Sequence, residues 1–165
     1  MIRGTGGMDK TPVLGMLERK QGEKASRVRA VVVKNLTKRH LHGNIMATVE
    51  RGSHLYTDTT MQYGKGRLPK LYQHEAINHA REYVRGQVHT NSLENFWSLL
   101  KRAIKGTYVS VDPFHLFRYV DEQVRRYNER TGTDRERFVS VLSDIVGRRV
   151  TYRNLTGADL SPATT

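Results

Sequence analysis

No cysteine occurs in the 165 residues, which excludes a disulfide framework and a thiolate zinc site. No apolar run reaches membrane-spanning length, and no basic stretch carries a clean lipid-facing side. The opening residues, MIRGTGGMDKTP, hold no apolar signal core, so a cytoplasmic protein without a membrane partner is expected. Internal repeats and low-complexity blocks are absent too. Acidic residues are scarce. Asp and Glu number 16 against 28 Lys and Arg, giving a formal charge of +12. That imbalance favours a polyanionic partner, most simply nucleic acid. Charge alone leaves DNA and RNA equally open.

What is present is one domain's worth of periodic apolar segments. Residues 1–10 are Gly-rich and polar and read as a loose lead-in. PVLGMLERK (12–20) and SRVRAVVVKN (26–35) read as two strands, and the short QGEKA between them suits an antiparallel hairpin. Thr37 is placed to cap a helix running to about Glu50, with Leu41, Ile45 and Val49 at i, i+4, i+8. HLYTDTT (54–60) reads as a strand, YGKGRLPK (63–70) as a loop, and HEAINHA (74–80) as a weaker strand. Gly86 breaks the chain before a helix over 91–105. Asp112 and Pro113 predict the start of a second helix with Phe114, Phe117, Val120 and Val124 as its stripe. A third helix is capped by Asp134, with Phe138, Leu142 and Ile145 facing the core, and the residues after Tyr152 read as a frayed tail. The class is therefore α/β, with the order β-β-α-β-(β)-α-α-α.

HTNSLENFWSLLKR, His89 to Arg102, carries the chemistry. Glu94 lies three residues after Asn91, the spacing of a capping box. It also shares a face with Ser98, Lys101 and Lys105, beside an apolar face of Leu93, Phe96, Trp97, Leu100 and Ile104. Such a polar stripe is ordinarily the solvated side of the helix. Asp58 ends a predicted strand, where an Asp is ordinarily a turn residue. The combination changes the weighing. Thirty-five residues separate Asp58 from Glu94, and an α/β fold brings such carboxylates together at a sheet's edge. Carboxylate oxygens suit Mg²⁺ or Mn²⁺, and paired divalent ions suit in-line attack on a phosphodiester. A Lys on the same face would meet the phosphates of bound DNA.

TD at 57–58, NH at 78–79, HTNSLENFWSLLKR at 89–102, GTY at 106–108 and FRYVDEQVRRYNER at 117–130 resemble the DDE transposases of small bacterial insertion sequences, in particular the ISXO-like group. GGMDKTPVLGMLERK resembles that group's second strand. The likeness runs from about Gly6 to Arg130. It implies an RNase H-like mixed sheet flanked by helices over 11–152, with 153–165 as a flexible tail. It implies metal-dependent cutting and joining of transposon ends, with DNA as partner and a nucleoid setting. Asp58 then matches the second catalytic Asp and Glu94 the third acidic position, both as metal ligands for Mg²⁺ or Mn²⁺. Lys101 is the basic partner, Asn91 a lesser candidate ligand, and Lys101, Arg102 and Lys105 the DNA contacts.

The group carries its first catalytic Asp on a strand before the Gly-rich lead-in, where this chain begins. The expectation is a C-terminal portion of a transposase, lacking that strand and inactive alone. The alternative is an inactive DNA-binding remnant, or a regulator that pairs with itself or with an intact transposase. Asp9 stands in a loop and does not replace the missing Asp. His89 reads first as a helix-entry residue, His40 and His42 as exposed, and Trp97 and Phe96 as core rather than base-stacking. His74 and His79, i and i+5 in a strand, should face opposite sides. Arg125, Arg126 and Arg130 read equally as DNA contacts or as a solvated basic face.

Overall fold

The computed structural model describes residues 10–20, 22–23, 25–58, 68–77 and 91–156. They form a mixed α/β arrangement of two small sheets and several helices. β1 (Val13–Glu18) and β2 (Arg27–Val32) make the expected antiparallel hairpin, with Gly15 opposite Ala30 and Leu17 opposite Val28. Gly22 in the connection has φ +60°, a conformation that hairpin turns require and glycine adopts without steric cost.

Alternation gives this hairpin two apolar faces. Leu14 and Met16 of β1 point toward α1 (Lys38–Thr48), where Leu41 and Ile45 are buried and Val49 is partly covered. Val13, Leu17, Val28, Ala30 and Val32 point the other way, onto α3 (Asn91–Arg102) and α4 (Leu116–Asn128). Helices thus cover both faces of the hairpin.

β3 (His54–Asp58) pairs in parallel with β4 (Gln73–Ile77), and Asp58 stands opposite Ile77 at the end of the ladder. The 78–80 part of the second expected strand, His79 and Gly86 lie outside the described residues. The expected loop 63–70 ends in a helical turn, α2 (Leu68–Leu71). Pro69 is pre-set for a first helical turn, and Leu68 is wholly buried against Leu14, Leu41 and Tyr72. The two sheets share the core around α1, and the Arg19 guanidinium lies 5.0 Å from the centre of the Tyr56 ring.

Other elements depart from sequence expectation in identifiable ways. Thr37 takes the cap position of α1, but its hydroxyl meets Asn35 Oδ1 (2.7 Å) and His40 Nδ1 (2.9 Å) rather than a helix N–H. His42, read as exposed, is buried because it adjoins Leu41 on the inner side of α1, and His40 is half-buried. The helix expected over 91–105 changes to a π turn at Ala103–Thr107. Asp112 caps as expected, accepting from Phe114 N at 3.1 Å, but it caps a 3₁₀ turn (Pro113–His115) leading into α4. The buried line of α4 then runs through Val120 and Tyr127, flanked by Leu116 and Val124, and Phe117 falls outside it. α5 (Asp134–Ile145) is capped by Thr133, not Asp134. Thr133 and Glu136 form a reciprocal capping box that the Thr-x-x-Glu spacing encodes. Phe138, Leu142 and Ile145, expected in the core, are exposed, because α5 meets the domain through its polar side. Tyr152–Thr156 form a short final helix, α6.

Candidate nucleic-acid and metal site

α3 is seated by its apolar face. Phe96 and Leu100 are buried, and Leu93, Trp97 and Ile104 are partly covered. Phe96 meets the rings of Trp97 and Tyr127 edge-on, at 5.1 and 5.7 Å. The closest approach of helix to sheet is at Gly15. A Cβ built there would lie 2.4 Å from Trp97 Cζ2, so only a glycine admits the indole at this distance. Trp97 and Phe96 are therefore core residues, as expected.

With that face fixed, the opposite face of α3 is fixed too. Glu94 in the first turn and Ser98, Lys101, Arg102 and Lys105 along the helix and its π turn are all exposed. Glu94 at the N-terminal end and Lys101 at the C-terminal end both complement the helix dipole. Asn91 is the first helical residue, and its side chain and that of Asp58 lie outside the described residues, as does His89.

The parallel pair ends at Asp58, and beside it Thr57 Oγ1 contacts His74 Nε2 at 2.9 Å. Burial, and then the nearby His42, lower the His74 pKa from 6.5, so this imidazole is neutral near pH 7. Among the described residues, no three His, Asp or Glu side chains converge as a metal cage.

Three further arginines that could have met DNA are engaged within the fold. Arg126 pairs with Glu122 (2.9 Å), and Glu122 also accepts from the Tyr108 hydroxyl (2.6 Å). Arg125 donates to Asp144 Oδ2 and Ser140 Oγ, both at 2.7 Å, and its Nε lies 3.1 Å from Glu129. Arg130 donates to the Ser26 carbonyl (3.0 Å) and Ser26 Oγ (2.9 Å), with its guanidinium 4.2 Å from the Tyr127 ring centre.

The residue that sequence reasoning passed over is Asn128. Its Oδ1 accepts from Val28 N at 2.7 Å and its Nδ2 donates to Val28 O at 2.9 Å. One amide thus imitates a neighbouring strand and satisfies the outer edge of β2. The available signal was a polar residue continuing the Val120, Val124 row at i+8.

A family model described as the ISXO2-like transposase domain matches residues 2–128. The chain belongs to this family. The match takes in β1 to α4 of this transposase-family chain, including Asp58, Glu94 and Lys101. Helices α5 and α6 follow the matched region. No match was found among curated proteins or among solved structures. No helix among the described residues is long and apolar enough to cross a membrane.

Proposed function

We propose that this chain is the catalytic-domain portion of an insertion-sequence transposase acting on DNA ends by metal-dependent cleavage and strand transfer. The observation that carries the reading is the placement of Asp58 and Glu94. One closes a parallel strand pair and the other opens the helix seated on the hairpin, within the span that matches the transposase family. Their carboxylates would hold Mg²⁺ or Mn²⁺, which keeps much of its water and is anchored by one or two carboxylates together with substrate phosphates. When bound, the metal would activate the attacking oxygen and offset charge on the leaving one.

The chain's own residues supply the surroundings. Lys101, Arg102 and Lys105 present exposed cations along α3 and the π turn that follows it for DNA phosphates, and Asn91 stands one turn before Glu94 as a lesser candidate ligand. We place the scaffold in the RNase H-like class, the two sheets belonging to one along the edges that β1 and β3 leave unpaired among the described residues. Both edges stand on the core around α1, which supports that placement.

Mn²⁺ binding, followed by the loss of free-ion paramagnetic resonance, tests the reading alongside cleavage of an end duplex. Glu94→Gln and Asp58→Asn should each weaken Mn²⁺ binding about tenfold or more. Cleavage of the end duplex should be abolished by either substitution. Lys101→Ala should weaken DNA binding more than Lys20→Ala and lower the salt slope by about one. Unchanged Mn²⁺ affinity in both carboxylate variants overturns the metal site. Retained DNA binding would then leave a non-catalytic DNA-binding module.

A further inference from the structure

The β3–β4 pair keeps one face to the core and one face outward. Alternation sets His54, Tyr56 and Asp58 in one row of β3, and the parallel register sets Gln73 and Glu75 beside the first two. The other row faces inward: Leu55 packs on the core around α1, and Thr57 meets His74. On the outer face His54, Gln73 and Glu75 are exposed and Tyr56 is half-buried. The His54 and Tyr56 rings lie nearly parallel, with planes 14° apart and centres 6.4 Å apart. The guanidinium of Arg19, which follows β1, lies 5.0 Å from the Tyr56 ring centre and holds that ring in place. Neither apolar cluster among the described residues includes Tyr56, so core packing does not account for an aromatic side chain here.

We propose that His54 and Tyr56 form a stacking platform for unpaired bases of the DNA end whose reacting phosphate lies at Asp58. This platform presupposes the transposase reading and extends it to the path of the substrate strand. A parallel strand rises about 3.3 Å per residue, so along β3 Tyr56 stands about 7 Å and His54 about 13 Å from Asp58. A stacked DNA strand advances about 3.4 Å per nucleotide, so the two rings fall about two and four nucleotides from that phosphate. Charge orients the strand across the rings. Phosphates are drawn to Arg19 and turned away from Glu75, which leaves the bases to the aromatic faces. Tyr56 is already held by Arg19, so little side-chain freedom is lost on binding. Stacking on such rings accepts any base. It needs an unpaired one, because both faces of an internal base pair are covered by its neighbours in the duplex.

The full-length chain is titrated in EDTA, so that neither metal binding nor cleavage enters, with two probes of mixed sequence. One is a blunt duplex. The other is the same duplex with a single-stranded extension of about four nucleotides carrying 2-aminopurine. The extended duplex should bind about tenfold more tightly than the blunt one, with a change in 2-aminopurine emission as the base leaves its neighbours for the rings. His54→Leu and Tyr56→Leu should each bring the ratio of the two affinities toward one and remove the emission change. Tyr56→Phe, which keeps the ring, should keep both. His54 is exposed, so its substitution tests the platform even where loss of the Tyr56 ring disturbs the fold. Equal binding of the two probes by the unaltered chain overturns the platform alone. So does a preference for the extension that survives both leucine substitutions. Failure to bind either probe overturns the DNA reading and the platform with it.

Discussion

Gly15→Ala adds one methyl group at the tightest contact between helix and sheet. The new Cβ would meet Trp97 Cζ2 at 2.4 Å, Trp97 Cη2 at 2.9 Å and Leu93 Cδ1 at 3.2 Å. Unstrained carbon contacts are about 3.5–4.0 Å, so the indole has to move by roughly an ångström. Trp97 is not free to slide, because Phe96 packs against its ring and is itself wedged against Tyr127. Overpacking of this kind costs about 1–3 kcal/mol. Relief of the strand's glycine entropy returns about 0.5–1 kcal/mol. The net loss is then on the order of 1–2 kcal/mol, which for a chain of this size lowers Tm by roughly 2–8 °C.

Trp97 is the chain's only tryptophan, so its fluorescence reports on the perturbed contact and on unfolding together. Urea unfolding followed at the indole should show an earlier midpoint, and native emission should shift as the ring moves. In a Trp97→Leu background the same Gly15→Ala change should cost little, giving a coupling energy near the whole single-variant effect. A Gly15→Ala protein as stable as the parent, or more stable, would show that α3 is not clamped at this point. The clamp also bears on function, since α3 carries Glu94 and Lys101 on its other face. DNA binding should weaken with the same substitution even where the fold survives.

Asn128→Leu should cost about 1–3 kcal/mol in urea unfolding, since it strands the Val28 N–H and C=O on a half-buried strand edge. Asn128→Asp keeps only the acceptor, and should fall between the two; equal stability of all three would dismiss the strand-mimic role. His74 has a folded pKa below 6.5, set first by burial and then by His42. The unfolded chain therefore binds that proton more tightly, and the contribution present above about pH 6.5 is lost as pH falls below it. The melting temperature should drop more between about pH 7.5 and 5.5 in the parent than in His74→Gln, and identical slopes would remove His74 from the acid response.

The α/β class, the β1–β2 hairpin, the inner line of α1 and both faces of α3 were legible in the sequence. Each is a local pattern: alternation of period two, apolar spacing of period 3.6, or a turn glycine. Family membership was legible for a related reason, because HTNSLENFWSLLKR compresses a buried face and a polar face into one helix. The positions of Asp58 at a strand end and Glu94 in a first helical turn followed from the same patterns. What the sequence could not decide was which side of an amphipathic helix would be turned inward. Phe138, Leu142 and Ile145 have core spacing, yet Arg125 reaches Asp144 and Ser140 across 15 to 19 residues and holds the polar side of α5 against the domain. Nor could it assign Arg125, Arg126 and Arg130, whose partners lie on neighbouring turns and distant segments, or find Asn128, paired with Val28 across 100 residues. Gly15 likewise looks like an ordinary strand glycine until Trp97 is laid against it. Periodicity records which residues share a face. Only the tertiary contacts decide what that face meets, because a packing partner far along the chain leaves no mark at local spacing.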